Sequence, residues 1–220
     1  MAKFSSLNIT GYNKNPLSNL LLCLEQPAEH LALVLPGLGY NADMPLLYYS
    51  SRLLLERKCD VLQLRPDYQG RVFQAASQEE RRERMYEDAA AGLQAGLDQG
   101  PYKKLVLVGK SIGTLGMALL INEFKNLGSP VTIWITPLLR EVLVVDAALA
   151  CAAPAFFMVG TADSTFDPAA LGYIQKKTGA QAWKAENANH SLELPQDPLA
   201  FLDLLRKGME VLSAFLDQAL

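Results

Sequence analysis

Ser111 stands inside Gly109-Lys110-Ser111-Ile112-Gly113, a G-x-S-x-G pattern set between two apolar runs. Residues 105–108, Leu-Val-Leu-Val, are a short continuous apolar run, which predicts a strand buried on both faces. Residues 115–121 read as a buried helix, so the chain passes from strand to helix through one sharp turn with the serine at its apex. A serine held there is backbone-strained and points its Oγ out of the sheet. The helix then packs close to the sheet, where Gly109 and Gly113 give room that a side chain would fill. The free N–H groups of the helix N-terminus favour negative charge developing beside the serine. The chemistry on offer is nucleophilic attack, but a serine hydroxyl needs a neighbouring base to become a good nucleophile. The chain holds only two histidines, His30 and His190.

Gly109-Lys110-Ser111 also matches the end of a phosphate-cradling loop, G-x-x-x-x-G-K-[ST]. That motif needs a glycine where Lys104 stands and a flexible loop where residues 105–108 are rigid, and it fails on both counts.

The elements that must position this turn follow from hydrophobic periodicity and turn chemistry. Residues 4–10 and 19–25 predict two strands joined as an antiparallel hairpin through the Gly-, Asn- and Pro-containing residues 11–18. Residues 30–35 predict a buried strand, followed by the loop Pro36-Gly37-Leu38-Gly39-Tyr40-Asn41. A helix over 44–58 follows, with Asp43 as its expected N-cap and Pro45 in its first turn. Residues 60–64 predict a strand and residues 78–97 a long amphipathic helix with an apolar stripe of Tyr86, Ala89, Ala90, Leu93 and Leu97. After the serine turn come a strand over 131–136, an apolar helix over 138–151, a strand over 155–159 and a helix over 168–177. A last strand over 181–185 and a closing helix over 198–216 complete the chain. Strands alternating with helices predict an α/β fold: a mainly parallel, doubly wound sheet with helices on both faces. Functional groups of such sheets gather at the carboxyl ends of the strands, which here means four loops: 36–41, 109–113, 160–167 and 187–190.

The totals narrow the function classes. With 220 residues the chain can bury one substantial core, and a single domain over 1–220 is expected. The net charge of −3 gives no basic surface for nucleic acid. Cys23, Cys59 and Cys151 are odd in number, widely spaced and without a C-x-x-C pair, which argues for reduced thiols, a cytoplasmic setting and no zinc site. Residues 1–14 contain no apolar core of signal-peptide length, and no segment is long and apolar enough to span a bilayer. No G-x-G-x-x-G fingerprint opens a helix, and two distant histidines without carboxylates at ligand spacing do not make a metal site. No cofactor or metal is expected, and the oligomeric state is left open.

With its four loops in place the chain resembles the α/β-hydrolase family over nearly its whole length. Residues 109–113 look like that family's nucleophile elbow, Val159-Gly160-Thr161-Ala162-Asp163 like its acid-bearing strand end, and Ala188-Asn189-His190-Ser191 like its histidine loop. The chain order Ser, Asp, His is the family's order. Pro36-Gly37 stands where many members have His-Gly, Lys110 stands where His or an aromatic is usual, and residues 138–151 are all that is available for a lid. The resemblance implies an open site and a small acyl substrate.

Within that resemblance Ser111 is the nucleophile, although a serine at a helix start is also a common cap. His190 is the base, because it follows the last strand and so shares the sheet end with Ser111. His30 opens its strand at the opposite end and reads as a surface or edge residue. Asp163 orients His190; Asp167 is the alternative acid, but it precedes Pro168 and reads better as a helix N-cap. The backbone N–H groups of Leu38 and Ile112 are the expected oxyanion hole. Gly37, Gly39, Tyr40 and Leu138 are candidates for the substrate pocket. Lys110 is assigned no catalytic role, being expected to reach solvent or pair with an acid. The implied activity is a serine hydrolase cleaving a small ester or thioester, or an amide, through an acyl-enzyme. An acyltransferase on the same residues is the alternative, and a ligand-binding module without activity is a third.

Overall fold

The computed structural model describes residues 3–125 and 127–220. Its eight strands are β1 (Lys3–Ser5), β2 (Asn19–Cys23), β3 (His30–Leu35), β4 (Cys59–Leu64), β5 (Lys104–Lys110), β6 (Val131–Ile135), β7 (Ala155–Gly160) and β8 (Gln181–Ala185). They form one sheet in the order β1-β2-β4-β3-β5-β6-β7-β8. From β4 to β8 every neighbouring pair is parallel, whereas at one edge β2 pairs antiparallel with both β1 and β4. Seven helices accompany them among the described residues: α1 (Pro45–Glu56), α2 (Arg71–Ala75), α3 (Gln78–Leu97), α4 (Ile112–Glu123), α5 (Val142–Ala150), α6 (Pro168–Thr178) and α7 (Ala200–Ala219). The mainly parallel sheet with helices on both faces is the architecture expected from the alternating pattern.

The two-residue pleat of the strands sorts their side chains into two cores. Leu31, Leu33 and Leu35 of β3, with Leu107 of β5 and Phe157 of β7, pack on one face beneath α3, α4, α5 and α6. Ala32, Val34, Val106, Val108, Phe156 and Met158 pack on the other, beneath α1 and α7. Covering both faces explains why residues 31–35 of β3 and 105–108 of β5 are apolar in unbroken runs rather than at alternate positions. Cys59 and Cys151 are buried, Cys23 is half-buried, and all three are free thiols. No helix among the described residues is long and apolar enough to cross a membrane.

Several boundaries differ from expectation for identifiable reasons. The first strand ends at Ser5 rather than residue 10, because the Asn19 amide takes both backbone groups of Leu7: it accepts from Leu7 N–H at 2.8 Å and donates to Leu7 C=O at 2.8 Å. Thr10 then pairs only in an isolated bridge with Pro16. Asp43 is not the cap of α1. That position belongs to Met44, which makes no side-chain cap bond, while Asp43 takes a two-pronged bond from Arg65 at 2.8 and 2.6 Å. The short helix α2 has no counterpart in the sequence pattern, and the segment 138–151 is helical only from Val142. Helix α3 begins where expected, on a Ser77–Glu80 capping box that satisfies both N-terminal donors reciprocally.

His30 needs a correction. It sits at the amino end of β3, as expected, but β3 lies in the middle of the sheet and the side chain is only 6% exposed. It is neither an edge nor a surface residue. Burial, then the Lys104 ammonium, push its imidazole below the ordinary histidine range, so it is held neutral far from the serine turn.

Candidate active site

The serine turn follows directly from its glycines. Ser111 has φ 54° and ψ −121°, a region that non-glycine residues rarely occupy and that costs on the order of 1–3 kcal/mol. Three close approaches hold it there. A Cβ on Gly109 would meet the Gly113 carbonyl oxygen at 2.9 Å, so α4 lies directly against the strand it leaves. A Cβ on Gly113 would meet the carbonyl oxygens of Leu35 and Pro36 at 2.2 and 2.6 Å, so the collision there is with the end of β3 rather than with β5. A Cβ on Gly37 would lie 3.3 Å from the Ser111 Cβ, which sets the 36–41 loop against the serine. Ser111 makes no side-chain cap bond to α4, so its hydroxyl is free of the role a helix-start serine usually plays.

That hydroxyl meets His190 instead. His190 Nε2 lies 2.7 Å from Ser111 Oγ, and His190 Nδ1 lies 2.7 Å from Asp163 Oδ2. The three side chains come from the ends of β5, β7 and β8. Because β8 stands three places from β5 in the sheet, the histidine loop has to cross the end of β7 to reach the serine. Gly160, the last residue of β7, makes the crossing possible: a Cβ there would strike the carbonyl oxygens of Ala188 and Asn189 at 2.3 and 2.6 Å. The loop is tied down where it crosses. Ala162 N–H donates to Ala188 C=O at 3.0 Å, and Thr161 N–H to Ala185 C=O at 3.0 Å. The Asn189 carboxamide oxygen accepts from the N–H groups of Ser191 and Glu193 at 2.8 and 3.0 Å.

Asp163 is buried, with 2% of its side chain exposed, while His190 keeps 34%. Burial works to raise the Asp163 pKa, but the bonds from His190 and Thr165 outweigh it and hold the carboxyl below its usual value. Thr165 supplies two of them: its N–H and its hydroxyl both donate to Asp163 Oδ1 at 2.8 Å. Sequence reasoning passed over Thr165, although an aspartate bonding the N–H two residues on is a recognisable turn pattern. Asp167, the alternative acid, caps α6 through the N–H groups of Ala169 and Ala170 at 2.9 and 3.0 Å.

The 36–41 loop closes on itself, Gly37 N–H donating to Tyr40 C=O at 2.9 Å and Tyr40 N–H to Gly37 C=O at 3.4 Å. Leu38 sits at its tip. Among the described residues neither Leu38 N–H nor Ile112 N–H has an acceptor, so both donors are available. A polar cleft of about 220 Å³ opens beside this loop, lined by Gly37, Gly39, Tyr40, Asn41, Arg65 and Gln69 among others and by none of the three site side chains. Leu138 is half-buried, and its N–H donates to Thr114 Oγ1 at 3.3 Å; the same hydroxyl donates to Ser111 C=O at 2.6 Å. A larger apolar groove of about 660 Å³ between α1 and α7 shares no residue with these loops.

Lys110 contradicts expectation outright. It neither reaches solvent nor pairs with a carboxylate: it is 2% exposed, its ammonium donates to His190 C=O at 3.1 Å, and it lies 4.7 Å from the Tyr40 ring centroid. The strand pleat carried the signal, since Lys110 shares the face of Val106 and Val108 in β5.

Chemically, the arrangement is a hydroxyl bonded to an imidazole, the imidazole bonded to a buried carboxylate, and two unengaged N–H groups in the adjoining turns. No protein-family model matches the sequence, and no curated protein matches it. Solved structures do match it in shape. An esterase from Pyrococcus furiosus superposes with a TM-score of 0.71 at 14% identity, covering 99% of this chain and 91% of that one. A lidless α/β serine hydrolase from Xanthomonas campestris gives a TM-score of 0.67 at 18% identity, over 96% of this chain and 95% of that one. Dienelactone hydrolase from Anabaena variabilis gives 0.69 at 15% identity, over 100% of this chain and 99% of that one.

Proposed function

From the α/β-hydrolase fold that this chain has, we propose that the protein is a serine hydrolase cleaving a small carboxylic ester or thioester through an acyl-enzyme. One observation carries the reading: Ser111 Oγ, both nitrogens of His190 and Asp163 Oδ2 form a chain of two contacts at 2.7 Å each.

In this reading Ser111 Oγ attacks the carbonyl carbon as its proton passes to His190 Nε2. Asp163, ionised and buried, holds the proton on Nδ1 and stabilises the imidazolium. The negative charge that builds on the carbonyl oxygen is met by the N–H groups of Leu38 and Ile112, and a donor of this kind is worth about 100-fold or more in rate. Collapse of the tetrahedral intermediate breaks the bond to the leaving alkoxide or thiolate, which takes the proton back from Nε2. Water then attacks the acyl-enzyme with its proton again passing to His190, and Ser111 regains its proton as the acid departs.

The test is covalent. A fluorophosphonate probe is expected to label Ser111, and Ser111→Ala is expected to lose both labelling and ester turnover while remaining folded. Undiminished turnover in that variant refutes the proposal.

A further inference from the structure

A lysine with no solvent access is costly, because an ammonium leaves its hydration behind. Lys110 is such a residue, and it immediately precedes the serine. Three segments of the site meet at its side chain. The 36–41 loop covers the stem: a Cβ on Gly37 would come within 3.0 Å of Lys110 Cδ. Tyr40 of the same loop presents its ring to the ammonium at 4.7 Å, and that ring is itself fixed, its hydroxyl accepting from Leu46 N–H at the start of α1 at 3.0 Å. From the other side the ammonium donates to the carbonyl oxygen of His190 at 3.1 Å. The lysine therefore ties the histidine's own main chain to the strand that carries the serine and to the loop that carries Leu38.

We propose that Lys110 is a positioning residue, its cationic head clamping the main chain of His190 so that the imidazole stays between Ser111 and Asp163. The inference rests on the serine-hydrolase reading for its activity readouts, though the clamp itself is a property of the folded chain. A hydrogen bond from an ion is stronger than one from a neutral amine, and attraction to the Tyr40 ring exists only for the cation. Loss of one proton from Lys110 thus loosens both ends of the clamp at once.

The proton is lost within reach of ordinary assay conditions. Burial pulls the Lys110 pKa down to about 8, while the negative charges of Asp163 and Glu193 act to raise it. Besides the carboxylate of Glu193 and the imidazole of His190, the groups facing it are Asp163, held below its usual value, and Tyr40, whose hydroxyl burial pushes up to about 12. The expected signature is an alkaline fall in kcat centred near pH 8 that belongs to Lys110.

The experiment measures kcat and KM for p-nitrophenyl acetate, together with the rate of fluorophosphonate labelling, from about pH 6 to about pH 9.5 for the wild type and Lys110→Met. The expected result is a wild-type alkaline limb that disappears in the variant, with kcat lowered about tenfold at neutral pH and KM moved less than about threefold. A variant that retains the limb, or keeps its kcat within about twofold, overturns the proposal. A merely structural lysine would lower the folded fraction without removing the limb. Should Lys110→Met fail to fold, NMR of the wild type with lysine labelled at its ε-carbons decides instead. A lysine titrating near pH 8 in step with a shift of the His190 ring signals supports the clamp, and a ring indifferent to that step overturns it. Wild-type protein that no probe labels at any pH would refute the hydrolase reading alone, leaving the NMR titration to judge Lys110.

Discussion

Gly160→Ala is the sharpest perturbation the structure offers, because it adds one methyl group beneath the histidine loop and touches none of the three site side chains. The new Cβ would lie 2.3 Å from the Ala188 carbonyl oxygen, whereas ordinary contact begins at 3.4 Å, so the loop must retreat by about 3.4 − 2.3 = 1.1 Å. His190 lies two residues beyond Ala188. If the loop moves as a unit, the 2.7 Å contact between His190 Nε2 and Ser111 Oγ opens to about 3.8 Å, outside hydrogen-bond range. Misplacement on the order of 1 Å costs about 100-fold in rate. Overpacking of this kind costs about 1–3 kcal/mol, a fall in Tm of roughly 2–12 °C for a chain of this size. The assay pairs kcat/KM on a simple ester with a thermal melt. The expected outcome is a folded protein, modestly less stable, with about 1% of wild-type activity. A folded Gly160→Ala protein within about threefold of wild type would refute the account of how His190 is positioned.

Other consequences can be checked with the same tools. Thr165→Val removes the hydroxyl bond to Asp163 Oδ1. Because the Asp163 pKa is held below its usual 3.8, its charged form and the stability it brings are lost only as pH falls through that lowered value. The variant is expected to lose activity and stability at a higher pH on the acid side, visible in a pH–rate profile and in acid denaturation. For Lys110 the sign is opposite. Its unfolded pKa of 10.5 falls to about 8 on folding, so the unfolded chain binds the extra proton and wild-type stability rises from about pH 8 to about pH 10.5. In Lys110→Met a charge penalty of about 3 kcal/mol at pH 7 is removed, an advantage that wild type recovers as its own lysine deprotonates. Denaturant midpoints should show that advantage shrinking across the same window. Gly172, exposed on α6 with no atom within 4 Å of where an added methyl group would sit, is the control for Gly160. Gly172→Ala is expected to raise stability by about 0.5–1 kcal/mol and leave kcat untouched.

The parts of this molecule that sequence reasoning reaches are those governed by local pattern. The strands over 30–35 and 181–185 and the helix over 78–97 are found at their expected bounds, because continuous apolar runs and helical periodicity are properties of neighbouring residues. The loops holding Ser111, Asp163 and His190 were legible because a parallel sheet sends its carboxyl ends to one side. What escaped depends on distant partners. Asp43 reads as a cap until Arg65, from the end of β4, claims its carboxylate. Residues 6–10 read as strand until the Asn19 amide takes the backbone of Leu7. Lys110 reads as a surface residue by its type, and only its pleat position beside Val106 and Val108 says otherwise. Helix α2 is five residues long and buries only Phe73, too little for a periodic signal.

The tightest approaches around the serine, at Gly113 and Gly160, are made by main-chain carbonyl oxygens, and the two N–H donors beside it also belong to the backbone. Main-chain atoms are the same in every amino acid. A centre assembled this way demands glycine at a few crossing points and a handful of reactive side chains, and leaves most of its letters free to drift. That is a physical reason why shapes can agree at TM-scores near 0.7 while only 14–18% of residues coincide.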